Sequence, residues 1–321
     1  MEEGRRALLK SAALVALCEA AGIRPAAAAK ASGDAVRASP PLPGKIIALN
    51  GVDYFVSDQG RGPKTVLLLH GMPDTSAVWA QQITALLAAG YRVVAPDMLG
   101  YGQTAKPADP ARYESAKIMQ DMSALIDTIG APKVDIVGHD WGALASWMLV
   151  ISFPGRFRRH VALSVGHPGG FFSDLSVEKL KDNWYMYLNA LPAADELYLQ
   201  DGLAFVRKYL IPTHPAIDED CTRLKDPIAM RGMLNWDRGN PLSLSYLAAL
   251  KDKSEYPKCM VPTMGLWSRG DVYLGEEQMT MSKRFMAAEW SYRRLERGSH
   301  WLQLDQPREV NRHLLAWLEK A

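Results

Sequence analysis

Three residues suited to covalent catalysis stand in an order that would let them work together. Asp140 lies in Val137-Gly138-His139-Asp140-Trp141-Gly142-Ala143, between a short apolar run, Val134 to Val137, and a segment that reads as a helix from Ala143 to Ser152. Asp271 ends Trp267-Ser268-Arg269-Gly270-Asp271, and His300 sits in Gly298-Ser299-His300-Trp301; each follows a segment that reads as a strand, Thr263 to Trp267 and Ser291 to Leu295. Nucleophile, acid, histidine is a known order for a hydrolytic triad, with glycines permitting the cramped bend around the nucleophile. On its own a G-x-D-x-G bend is more often a helix cap or an ion-paired aspartate. A lone histidine before a C-terminal helix is usually a capping or surface residue. The three together, each after a strand, carry the catalytic reading.

A carboxylate in the place usual for serine changes the chemistry. An alcohol attacking a saturated carbon would form an ether that water cannot cleave under these conditions. A carboxylate attacking the same carbon forms an ester. Water activated by His300 can then attack the acyl carbon of Asp140, with Asp271 orienting the imidazole and stabilising its cation. The aspartate therefore points to an sp3 electrophile, an epoxide or a carbon–halogen bond, and away from ordinary ester or peptide hydrolysis.

These residues need a frame, and the apolar pattern supplies one. Ile46–Leu49 and Val52–Val56 flank Asn50-Gly51, a two-residue hairpin signal. Val66–Leu69 is continuously apolar, as in a strand buried on both faces. Helix Ser76–Ala89, strand Tyr91–Ala95, helix Tyr113–Ile129, strand Lys133–Val137, the helix after Asp140 and strand His160–Val165 follow. From His167 to about Pro257 the chain reads as aromatic-rich helices and loops. Strand Thr263–Trp267, helix Glu276–Met286, strand Ser291–Leu295 and helix Pro307–Glu319 complete it. The pattern predicts an α/β fold: a mostly parallel sheet with helices on both faces and a helical cap inserted after the sixth strand. In such a sheet Asp140, Asp271 and His300 share the carboxyl edge, where ligands bind. His70-Gly71-Met72-Pro73 ends an earlier strand at the same edge. The backbone N–H groups of Met72 and Trp141 are then candidates to stabilise an oxyanion on Asp140, and a cis Pro73 would fix the turn.

HGMP, VGHDWGA, GDVYL and GSHW, with their spacing and the cap between them, resemble the α/β-hydrolases of the epoxide hydrolase group over about Gly44 to Leu318. The resemblance implies an α/β-hydrolase fold, core parts at 44–166 and 258–321, and a helical cap at 167–257. The aspartate-nucleophile branch also contains haloalkane and fluoroacetate dehalogenases. HGMP in place of an HGN-type loop leans away from the former. Trp141 and Leu144 do not match the arginines that grip the substrate in the latter. Epoxide hydrolases of this kind carry two cap tyrosines that help the ring open. In Asn183-Trp184-Tyr185-Met186-Tyr187 the resemblance gives that role to Tyr185, with Tyr187 as the alternative. The second tyrosine is replaced by Asp237, in Leu234-Asn235-Trp236-Asp237-Arg238. Asp237 is either a desolvated, protonated acid standing in for it, or is paired with Arg238 or another cation, leaving Tyr185 to act alone. Trp184, Tyr187, Trp236 and Asp237 are expected around a lipophilic pocket, although cap packing would explain aromatic residues equally. Haloalkane dehalogenase, and a ligand-binding homologue that has lost turnover, remain the alternatives to an epoxide hydrolase.

Composition fits an enzyme of this kind. The 321 residues are 48% hydrophobic with nine tryptophans, enough for a sizeable core, and the formal charge is +2. No basic cluster is interleaved with aromatics, which argues against nucleic acid, and no apolar run reaches the ~18 residues of a membrane span. No metal-ligand spacing or phosphate-cradling loop is apparent, so no cofactor is expected. The expected partner is a small lipophilic molecule, on a monomer or homodimer. Arg5-Arg6, an Ala-rich apolar run and A-x-A spacing at Ala27–Ala31 mark residues 1–33 as an export signal and linker of the twin-arginine kind. That signal implies a periplasmic protein; a thylakoid-lumen signal would look similar, and an amphipathic N-terminal helix on a cytoplasmic protein is the alternative. Cys18 falls within that segment, and Cys221 and Cys259 are expected as free thiols. Arg156, Arg158, Arg159 and His160 read as a solvated helix end.

Overall fold

The computed structural model describes residues 41–172, 177–242 and 256–320; the expected signal at 1–33 lies outside them. Eight strands form one sheet: β1 (Lys45–Leu49), β2 (Val52–Gln59), β3 (Thr65–Leu69), β4 (Arg92–Pro96), β5 (Val134–His139), β6 (Phe157–Leu163), β7 (Thr263–Ser268) and β8 (Trp290–Leu295). Their spatial order is β1-β2-β4-β3-β5-β6-β7-β8. β1 and β2 form the hairpin across Asn50-Gly51, where both residues have positive φ, and β2 runs antiparallel to β4. From β4 to β8 every pairing is parallel.

Parallel strands feed crossover helices onto both faces, so their side chains are buried on both sides. β3 is buried throughout. Leu67 and Leu69 join the core that also holds Trp147 and Trp236, while Val66 and Leu68 face the opposite core with Trp79, Ile83 and Trp317. The core helices are α1 (Ala80–Ala88), α2 (Ser115–Thr128) and α3 (Trp141–Ser152). Between β6 and β7 come α4 (Pro168–Phe172), α5 (Val177–Asp182), α6 (Trp184–Asn189), α7 (Ala194–Tyr198), α8 (Ile217–Leu224) and α9 (Pro227–Gly239). After β7 follow α10 (Glu276–Met281), α11 (Leu302–Asp305) and α12 (Pro307–Leu318). No helix among the described residues is long and apolar enough to cross a membrane.

Several boundaries differ from the sequence reading: the helix expected at Ser76–Ala89 opens with a 3₁₀ turn, Ser76–Trp79, and the strand expected at His160–Val165 runs Phe157–Leu163. Helix α10 stops at Met281 and a 3₁₀ turn, Ser282–Phe285, takes over; there the Ser282 hydroxyl turns back to accept from His167 N–H and donate to Gln278 O. Helix α2 begins at Ser115, because Pro110–Tyr113 forms its own 3₁₀ turn capped by Asp109. The segment Arg156–His160 is no solvated helix end. Phe157 opens β6, and His160 is buried between Ser146 Oγ at 2.8 Å and Thr263 Oγ1 at 3.3 Å. Burial presses its pKa down to about 3, so it is a neutral core residue. Arg158 and Arg156 reach back along the sheet end to Asp135, at 2.8 Å, and Asp127, as long cationic side chains do when their stems cover apolar surface. Cys221 and Cys259 are buried free thiols.

Candidate active site

Asp140 is held at φ 53°, ψ −124°, between β5 and α3. A non-glycine residue adopts this region only where its surroundings enforce it, at a cost on the order of 1–3 kcal/mol. Two glycines make it possible. A Cβ on Gly142 would lie 2.2 Å from Leu69 O, and one on Gly71 would lie 2.2 Å from Asp140 Oδ1. The second contact shows why glycine follows His70 in the HGMP loop: the Asp140 carboxylate lies directly against its backbone.

The two carboxylate oxygens have different partners. Oδ1 accepts from Met72 N–H at 2.8 Å, and the Met72–Pro73 bond is cis. Trp141 is the first residue of α3, so its N–H has no intrahelical acceptor and lies at the positive end of the helix. Oδ2 lies 3.4 Å from His300 Nε2. On the far side of that ring, His300 Nδ1 meets Asp271 Oδ2 at 2.8 Å. Asp271 Oδ1 accepts from Tyr273 N–H at 2.9 Å and Leu274 N–H at 3.1 Å, so this fully buried carboxylate is saturated and fixed. The backbone carbonyl of His300 is pinned as well, by His139 Nε2 and Ser164 Oγ, each at 2.9 Å.

Electrostatics follow from this placement. Burial alone would lower the pKa of His300, but the charges of Asp271 and Asp140 outweigh it and raise it to about 10. Burial alone would raise Asp140, but hydrogen bonding and charge from His300 hold it below the ordinary carboxylate range. The resting site is therefore a carboxylate, imidazolium, carboxylate row.

Asp140, Met72, Trp141 and Tyr185 line one cavity of about 430 Å³, otherwise walled mostly by apolar side chains. Tyr185, from α6, is buried. Desolvation first, then the charges of Asp140, Asp237 and Asp271, push its phenol well above the usual value, so it keeps its proton. The other expected pocket residues lie outside this lining. Trp236 is buried one layer behind, against the Trp141 ring at 5.5 Å, and donates Nε1–H to Leu99 O at 2.8 Å. Trp184 packs on Phe205, ring centroids 6.0 Å apart, and Tyr187 is half-buried at the edge of the cap core. Asp237, from α9, is also absent from the lining, and it does not pair with Arg238. That arginine reaches Asp195 at 3.2 Å and the carbonyls of Leu191 and Pro192. Asp237 Oδ2 instead accepts from Asn189 Nδ2 at 2.8 Å, and Asn189 is itself held by Tyr198 O–H at 2.6 Å. Burial, reinforced by the charge of Asp140, raises Asp237 to about 8.

The sequence reading missed a second buried cluster. Asp74, the residue after Pro73, meets His214 Nε2 at 3.1 Å, and Asp220 of α8 meets Nδ1 at 2.8 Å. Their ligand atoms lie within 4.8 Å of one another, a spacing that could hold a metal ion. Both carboxylates already have other partners, however: Trp301 Nε1 donates to Asp74 at 3.1 Å and Arg223 pairs with Asp220. With a guanidinium in the cluster, the donor set fits an ion-pair network better than a cation site. No local motif marks it, because its members are brought together only by docking of cap on core.

Comparison with known proteins places the fold. A family model described as the alpha/beta hydrolase fold matches residues 64–307, and the chain belongs to that family. Within it the chain groups with epoxide hydrolases. It is 38% identical over 156 residues to an epoxide hydrolase of Caballeronia sordidicola, a match spanning 47% of each chain, about half of that relative's length. It is 26% identical over 282 residues to mouse epoxide hydrolase 4, covering 83% of this chain and 76% of the other. Among solved structures, an M145A mutant of an epoxide hydrolase from Bacillus megaterium superposes with TM-score 0.75 at 25% identity, covering 86% of this chain and all of that one. An epoxide hydrolase of Vigna radiata gives 0.72 at 26% identity, covering 88% of this chain and all of the other.

Proposed function

We propose that the protein hydrolyses lipophilic epoxides to vicinal diols through an ester on Asp140. The observation that carries this is the division of labour between the two oxygens of Asp140. Oδ2 attacks a ring carbon and its C–O bond breaks. Oδ1, already on the Met72 N–H, becomes the ester carbonyl oxygen. Tyr185 gives its proton to the departing alkoxide and recovers one from the His300 imidazolium. Esterification removes one of the two charges that keep His300 protonated, so the imidazole loses its proton when a base is needed. It then takes a proton from water, and the hydroxide adds to Cγ of Asp140. The oxyanion forms on Oδ1 beside Met72 and Trp141. Collapse expels the diol, the adduct's hydroxyl proton passing to the departing oxygen, and returns Asp140 as carboxylate and His300 as imidazolium.

The test is the intact mass of a His300→Gln variant after brief exposure to epoxides and to haloalkanes. A gain equal to the whole epoxide supports the proposal. An alkyl adduct formed from haloalkanes alone would replace it with dehalogenase chemistry, and no adduct from either would favour a binding role.

Export through a twin-arginine pathway is part of the same proposal, supported by Arg5-Arg6 and the Ala-rich run after them. Replacing both arginines by lysine should leave the full-length chain in the cytoplasm of a host that has the pathway. Unchanged periplasmic delivery would remove the idea.

A further inference from the structure

Helix α3 is apolar nearly all round, and a helix of that kind normally buries every face. Here most of it is buried, from Trp141 to Val150, but one stripe is not: Leu144, Met148, Ile151 and Ser152. The spacing of four and three places Leu144, Met148 and Ile151 on a single face, and all four residues line the cavity that contains Asp140. With a rise of 1.5 Å per residue, the ten steps from Trp141 to Ile151 span about 15 Å. The cavity therefore runs the length of α3 away from the nucleophile. Phe172 and Tyr256, stacked with centroids 6.3 Å apart, stand in its wall. Among the described residues of the lining, no lysine, arginine or histidine is present, and Asp140 is the sole carboxylate.

We infer that this cavity selects epoxides bearing one long, unbranched and uncharged aliphatic chain, which lies along the Leu144–Met148–Ile151 stripe with the oxirane at Asp140. This rests on the epoxide hydrolase reading above. A zig-zag of ~1.5 Å carbon–carbon bonds advances about 1.25 Å per carbon, so about twelve carbons fill the stripe. A chain bearing a carboxylate at its far end would meet no cation among the described lining residues to offset the loss of its hydration.

The experiment is kcat/KM of the full chain on 1,2-epoxyalkanes from four to sixteen carbons. Each added methylene should raise kcat/KM by up to about fourfold, the transfer free energy of one buried CH₂, until the stripe is filled and the series levels off. Met148→Trp and, separately, Ile151→Trp should move that plateau to shorter chains, the former more because Met148 lies nearer Asp140. The long-to-short ratio within each variant is the readout, so a fraction of unfolded protein cancels. An ω-carboxylate of the same length should be a poorer substrate than the neutral chain. A flat series, a plateau that neither tryptophan moves, or a carboxylate that equals the neutral chain would overturn the inference. Failure to turn over any epoxide, short ones included, would instead defeat the underlying assignment.

Discussion

Two histidines in this protein have nearly the same surroundings and different work. His300 lies between Asp271 and Asp140, and His214 between Asp74 and Asp220. Both are buried, and both edge onto the same indole, Trp301, with centroids 5.1 and 4.4 Å away. In both, burial would lower the pKa and two carboxylates raise it instead, to about 10 and about 9. What separates them is the second carboxylate. Asp140 has its side chain 17% exposed and opens onto the apolar cavity, whereas Asp74 and Asp220 are 5% and 2% exposed and carry a further donor each. In the mechanism proposed above, a histidine between two aspartates serves catalysis when one of the aspartates faces a cavity that a substrate can enter. Where both are closed in, with Trp301 Nε1–H on Asp74 and Arg223 on Asp220, the same trio is a tie, here between the cap and the loop that supplies the Met72 N–H.

The largest effect should come from removing the reactive oxygen. Asp140→Ala is expected to lower epoxide turnover by at least about 10⁴-fold, as loss of a covalent nucleophile does, with the melting temperature little changed. Residual turnover within tenfold of the parent would mean that Asp140 is not the nucleophile and that the two histidines differ less than argued.

The second test exchanges the roles. His214→Gln removes a buried cation from two buried carboxylates, a loss of roughly 3–5 kcal/mol in stability. In a chain of this size that lowers the melting temperature by about 10 °C. Turnover of the folded fraction should survive. If His214→Gln instead stops turnover at a temperature where the variant is folded, the tie is part of the chemistry. The pH dependence has a definite sign. The folded pKa of His214, about 9, lies above its ordinary value of 6.5. Its contribution is complete below about pH 6.5 and is lost as pH rises through about 9. The parent should therefore lose more stability than His214→Gln between pH 7 and pH 9.5, measured by denaturant titration.

His300, the base of the mechanism proposed above, stands in a local motif at a strand end and His214 does not, for a physical reason. Asp140, Asp271 and His300 each follow a strand of one parallel sheet, so chain order and apolar periodicity already place them on a common edge. His214 lies in the cap, where helices are short and break up into 3₁₀ and π turns, and its partner Asp74 is 140 residues away. The same limit explains the pocket. Tyr185 was identifiable from its local motif, but Trp184, Tyr187, Trp236 and Asp237 were expected in a lining they do not form, because aromatic density in a cap says nothing about which face turns inward. The stripe on α3 does have a sequence signal: Leu144, Met148 and Ile151 continue the helical spacing from Asp140.

Trp301→Phe sharpens the comparison, since Trp301 is where the two histidines meet. It keeps the ring contacts and deletes the Nε1–H that Asp74 accepts. Leaving a buried carboxylate short of one donor should cost about 1–3 kcal/mol, and kcat should change less than threefold. A fall in kcat beyond tenfold without loss of stability would show that the indole transmits the state of the tie to the catalytic ring.

The smallest effect concerns the third buried carboxyl near the site. Asp237 is raised to about 8 by burial and by Asp140, against the hydrogen bond it accepts from Asn189. Near neutral pH it is largely uncharged, and above about pH 8 it gains a charge that Asp140 and Tyr185 both feel. Ring opening places a developing alkoxide in the same field, so epoxide turnover by the parent should fall a few-fold as pH rises through about 8. Asp237→Asn, nearly the same size and never charged, should lack that limb. Stability should move with it. A carboxyl whose folded pKa lies above its unfolded value of 3.8 contributes most below that value, and the contribution is lost as pH rises through about 8. The asparagine variant should accordingly gain stability relative to the parent between pH 6 and pH 9. Identical pH–rate profiles with a stability difference that still grows would show that Asp237 titrates yet is screened from the reacting oxygen. In that case Tyr185 alone assists the leaving group, and the neutral carboxyl behind it is a packing element that happens to ionise late.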